Sequence, residues 1–193
     1  MNHIKLNKSN VQFINKFKKD FLNAEKKWKK KYTISCKDFE NEQIYNIPNI
    51  EQYDSTIIDS LQCFSKKHFT FTFSTPKRKI NIFFISPIEK PEKDLLFCLK
   101  QIFIWFNGID SYTTSECSKI LDIYISFTPS LKLLPKQKYD VIGRKNANTA
   151  FTFSCNERNI IHVFREEEWF KVLIHETFHN LDLDFSKYDH GFS

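Results

Sequence analysis

The sequence predicts an α+β protein in which a mixed sheet packs on helices. Three observations carry that reading. In HFTFTFS (68–74), Phe69, Phe71 and Phe73 alternate with polar residues, the period of a half-buried strand. Residues 167–181 form an apolar segment free of Pro and Gly, which suits a helix. The order of elements is helix, hairpin, helix, three strands and a last helix, which places helices on a sheet.

Taken in order, Val11, Ile14, Phe17, Phe21, Ala24 and Trp28 recur every three or four residues, predicting a helix over 10–30 capped by Ser9 or Asn10. Residues 32–52 show no period and contain Pro48, so they read as a connector. A short helix is expected over 54–64, with Ile57, Ile58, Leu61 and Phe64 on its apolar side. The strand 68–74, a turn over 75–79 and a more apolar strand over 80–86 make a hairpin. Pro91, Glu92 and Asp94 start a helix that runs to about Phe106 and stops at Asn107-Gly108. Strands follow over 120–127, 149–155 and 159–165, with an irregular loop around Pro129 and Pro135. No repeat or low-complexity linker divides the 193 residues. One domain is expected over 53–193, preceded by a helical extension and connector over 1–52.

Composition narrows the class. Apolar residues make up 41% of the chain and Phe alone contributes 21, enough for a sizeable core. Abundant Lys, Ile, Asn and Phe with scarce Gly and Ala reflect A/T-rich codons rather than chemistry. The five cysteines are widely spaced, odd in number and form no CxxC pair. They suggest neither a cysteine zinc site nor a disulfide framework, and point to a reducing, cytoplasmic setting. The N-terminus lacks the apolar core of a signal peptide, and the most apolar stretch, 95–106, is interrupted by Lys100 and Gln101, so no membrane span is expected. Net charge is +6, with Lys26, Lys27, Lys29, Lys30 and Lys31 around Trp28. A nucleic-acid patch is one reading of that cluster. The solvated face of an amphipathic helix is the preferred one, because Asp20 and Glu25 interrupt the field.

Residues 175–179 read His-Glu-Thr-Phe-His, an HExxH pattern inside the last predicted helix. With 6 His and 12 Glu in the chain, chance would supply such a motif about 0.01 times, so its presence calls for an explanation. Four residues is about one helical turn, so His175 and His179 share a face and can bind one zinc ion. Glu176 can reach a water on that ion and take its proton, and the metal lowers that water's pKa towards about 7. The helix is mostly apolar and expected to be buried, and polar groups buried along it would need a partner such as a metal.

The run VLIHETFHNL resembles the zincin superfamily of metallopeptidases, with uncharged Val172, Leu173, Ile174, Thr177, Phe178, Asn180 and Leu181 around the motif. The wider run FREEEWFKVLIHETFHNLDLDFS is similar to uncharacterised metallopeptidase-like proteins of large nucleocytoplasmic DNA viruses. The likeness covers about 146–186 and is faint before that. It implies zinc ligands at His175 and His179, a general base at Glu176, a zincin-type sheet above the motif helix, and a peptide or protein substrate. A viral source would allow a virion-associated location. If strand 149–155 forms the sheet edge, it could pair with an extended peptide.

A catalytic zinc normally takes three protein ligands. No Glu follows Glu176, and Asp182 and Phe185 occupy the positions where metzincins carry Gly and the third ligand. Asp182, Asp184, Asp189 and His190 stay open as ligands, as does a residue encoded beyond 193. Asp184 could instead orient a ligand imidazole. Tyr188 and His190 are candidates for stabilising an oxyanion. The sequence therefore points to a zinc-dependent metallopeptidase. A zincin-shaped structural or binding protein without catalysis is the alternative. A basic nucleic-acid-associated protein with an incidental HExxH is a third reading.

Overall fold

A computed structural model of the chain describes residues 8–28, 33–38, 46–64, 67–86, 92–114, 116–129 and 149–184. These hold four α-helices: α1 (Lys8–Lys27), α2 (Ser55–Phe64), α3 (Glu92–Ile109) and α4 (Trp169–Asn180). Six strands accompany them: β1 (Thr33–Asp38), β2 (Lys67–Ser74), β3 (Lys79–Ser86), β4 (Ile120–Ser126), β5 (Ala150–Thr152) and β6 (Arg158–Val163). The sheet order is β1-β2-β3-β4-β6-β5. The β3–β4 and β4–β6 pairs are parallel, and the flanking pairs are antiparallel. The expected α+β class with a mixed sheet is what the chain adopts.

Alternation along the strands sorts the two faces of the sheet. Phe71 and Phe73 of β2, Ile80, Ile82 and Phe84 of β3, Leu121, Ile123 and Ile125 of β4, and Ile161 and Val163 of β6 point to one side. There they pack with Leu95, Leu99, Ile102 and Phe106 of α3 and Leu173 of α4. On the other side a smaller core gathers Ile47, Tyr53, Ile57, Leu61, Ile85 and Phe164 under α2. Within it the Tyr53 hydroxyl and His162 Nδ1 are 2.8 Å apart. His162 is fully buried, and that burial lowers its pKa from 6.5 to about 3.

Three expectations are corrected. The segment read as a connector contains β1, which pairs antiparallel with β2 from Thr33↔Thr72 to Asp38↔Lys67. An edge strand packs fewer neighbours than a central one, so TISCKD needs no strong alternation. Helix α3 does not stop at Asn107-Gly108 but continues to Ile109 and a 3₁₀ turn, Asp110–Tyr112. Gly108 serves packing there: a Cβ on it would lie 2.8 Å from the Phe21 ring of α1. The cysteines are not all reduced either. Cys117 and Cys155 form a disulfide, while Cys63 and Cys98 are free. The bond joins the segment before β4 to the β5–β6 turn and removes the ground on which the cysteines indicated a reducing compartment.

Helix α1 is tied to the rest of the molecule. Phe21 meets Trp105, Trp28 meets Phe103, and the Tyr112 hydroxyl donates to Asp20 at 2.7 Å. Residues 8–38 thus add a helix and a strand to the same layers as the 53–184 region. Lys29, Lys30 and Lys31 of the basic cluster lie outside the described residues. Glu25 at its border pairs with Lys100 of α3 at 2.9 Å. No helix among the described residues is long and apolar enough to cross a membrane.

Candidate metal site

Helix α4 turns Val172, Leu173, Thr177 and Asn180 inward, which leaves His175 and His179 on its exposed side. The two histidines are therefore not buried as the apolar run had suggested. Apolar neighbours in sequence fill the opposite face, and a helix places residues three and four apart together, not residues side by side. Glu176 is half-buried. Burial raises its carboxyl above the usual carboxylate value, and His179 opposes that shift. An elevated pKa moves a general base towards the pH at which it must gain and lose a proton.

The imidazoles of His175 and His179 stand nearly perpendicular, with Nε2 atoms 3.2 Å apart. Two nitrogens, each about 2.0–2.1 Å from one tetrahedral zinc, are separated by about 3.3 Å. The Nε2–Nε2 separation matches that requirement, and it is also the length of a hydrogen bond between the two rings. The Asp184 carboxylate accepts a hydrogen bond from His179 Nδ1. This assigns the ring hydrogen to Nδ1 and leaves the Nε2 lone pair facing His175. Asp184 thus lies on the far side of the ring from Nε2. Of its two proposed roles, the orienting one matches the geometry and the ligand one does not.

The end of α4 explains how Asp184 gets there. Asp182 takes a left-handed conformation at φ 58°. Leu183 N–H then donates to Phe178 O at 2.8 Å, and Asp182 N–H approaches His179 O at 3.5 Å. This pair of bonds is a Schellman closure, with Asp where Gly is commoner. It folds the chain back along the last turn, so Asp184 meets a residue five positions earlier. Asp182, another candidate ligand, supplies the left-handed residue of this turn. Asp189, His190 and Tyr188 lie outside the described residues. Among the described residues no group of three His, Cys, Asp or Glu gathers that could hold a metal.

Residues that sequence reasoning did not single out hold the helix in place. Trp105 Nε1–H donates to Thr177 Oγ1 at 3.0 Å, fastening α3 to the middle of α4. Ser118 Oγ donates to Asn180 Oδ1 at 2.5 Å, and Asn180 Nδ2 donates to Thr152 Oγ1 at 2.9 Å. No local signal marks Ser118 or Thr152, because their role depends on which strands become neighbours. The three-residue β5 ends the sheet beside α4 among the described residues. A scan against protein-family models, a search of curated proteins and a search of solved structures each return no match.

Proposed function

We propose that the chain is a zinc-dependent peptidase whose site is built on α4. The observation that carries this reading is the 3.2 Å separation of two Nε2 atoms, one of them oriented through Nδ1 by a carboxylate. His175 and His179 would hold the ion, which when bound would supply Lewis acidity and a water of lowered pKa. Glu176 is one residue from His175 and half-buried, suited to accept a proton from water and hand it to a leaving amine. Among the described residues β5 is the sheet edge, where an extended peptide could add as a strand, which supports a peptide or protein substrate. No third ligand is assigned among the described residues.

A second reading is a zincin-like structural or binding protein that does not catalyse hydrolysis. The absence of a third ligand among the described residues favours it. Zinc content and activity separate the two. About one zinc per purified wild-type chain and none in His179→Ala is expected, together with hydrolysis of a peptide library that Glu176→Gln abolishes while keeping zinc. Zinc without hydrolysis in wild type supports the second reading. No zinc in wild type overturns both the metal site and the peptidase.

A further inference from the structure

The Cys117–Cys155 bond lies beside the residues that fix the end of α4. Cys117 precedes Ser118, which is fully buried and left-handed at φ 55°. Ser118 N–H donates to Asn156 O at 2.6 Å, next to Cys155. The Ser118 hydroxyl then donates to Asn180, which follows His179 directly and reaches Thr152 of β5. Asn180 and Ser118 are both 0% exposed, so neither can exchange its partner for water without local opening. A continuous chain of contacts therefore runs from the disulfide through Ser118 and Asn180 into the Schellman turn that returns Asp184 to His179.

We propose that this disulfide is a redox lock on the metal site, resting on the metal-site reading above. With the bond formed, Ser118 is held against Asn180 and the turn stays closed. With the bond broken, Ser118 can leave the left-handed conformation, Asn180 Oδ1 loses its buried hydroxyl donor, and Asp184 no longer fixes the His179 ring. Cys155 is half-buried and Cys117 is 2% exposed, so attack by an incoming thiolate is assigned to Cys155, the more exposed residue. A dithiol reductant supplies both electrons. Its thiolate attacks Cys155 Sγ, the Sγ–Sγ bond breaks, and Cys117 leaves as a thiolate that takes up a proton. The reductant's second thiol, as thiolate, then displaces Cys155, which is protonated in turn, and the reductant departs as a disulfide.

The test compares two forms of the full chain. In one, free thiols are alkylated with the disulfide intact. In the other, a phosphine reduces the bond before alkylation, so that new thiols cannot bind metal. Zinc affinity is read by competition with a chromophoric chelator, and hydrogen exchange is read at the amides of 178–184. The reduced form is expected to bind zinc about tenfold more weakly and to exchange those amides at least tenfold faster. Ser118→Ala with the disulfide intact should reproduce both changes. Cys117→Ala/Cys155→Ala provides the same comparison without alkylation. Unchanged exchange on reduction overturns the lock, whatever zinc does. No zinc binding in either form overturns the metal-site reading instead, while faster exchange alone still upholds the coupling.

Discussion

At the scale of single residues, the His179–Asp184 pair decides how well one imidazole presents its lone pair. Asp184→Asn keeps the size of the side chain but removes the negative acceptor, and its amide can donate to Nδ1 and favour the wrong tautomer. Zinc affinity should fall about 10- to 100-fold, measured by chelator competition; an unchanged affinity would show that the carboxylate does not orient the ring. His162 makes a different prediction. Its pKa is about 3 when folded against 6.5 when free. Between those values the unfolded chain binds more protons, so its contribution to stability is complete above about pH 6.5 and is lost as pH falls towards 3. The loss is on the order of 5 kcal/mol. Urea titrations across that range should show a steeper acid loss for wild type than for His162→Phe, and parallel profiles would count against the buried histidine as the cause. The HExxH residues were legible in the sequence because their geometry depends on one helical turn. The His179–Asp184 contact could not be read there, since it needs a left-handed residue at Asp182 that composition does not announce.

At the scale of elements, the fit of α1 on α3 turns on one position. Ala for Gly gains about 1 kcal/mol of helix propensity. At Gly108, however, the new methyl would lie 2.8 Å from a Phe21 ring packed between Phe17 and Trp105. Overpacking costs about 1–3 kcal/mol, so Gly108→Ala should destabilise the protein by about 1 kcal/mol in chemical denaturation. A gain in stability would mean that the ring yields. The Asn107-Gly108 pair misled the reading of α3 because it resembles a helix stop, whereas the glycine answers to a neighbouring helix. The strands over 67–86 and 120–126 were legible because one face is buried along their length. Strand β1 was not, because its partner lies on one side only.

At the scale of the whole molecule, one buried ion pair ties the β2–β3 turn to the end of α3. Arg78 and Asp110 are paired and nearly fully buried, with Arg78 Nη2 donating to Thr113 Oγ1 at 2.8 Å and Thr75 Oγ1 donating to Asp110 at 2.8 Å. Burial lowers the Arg78 pKa, and Asp110 counters it. Asp110→Ala strands the guanidinium and should cost about 3–5 kcal/mol. Arg78→Met with Asp110→Leu should cost less than the single change, as thermal or urea unfolding would show. An equal cost would assign the loss to the threonine contacts rather than to the stranded charge.

The order of strands also governs how the chain must come together. The β2–β3 and β5–β6 pairs are hairpins whose partners are near neighbours in sequence. The parallel ladders between them join Lys79 to Ile120 and Ile120 to Arg158, each across a long intervening segment. Two local hairpins can therefore form early and independently, and folding waits on β4 to bridge them. Non-local pairing of that kind slows folding well below the rate of a helical bundle of equal size. Helix α4 lies against β5 and β6, so the His175–His179 pair belongs to the hairpin that forms locally and does not wait on the β4 bridge.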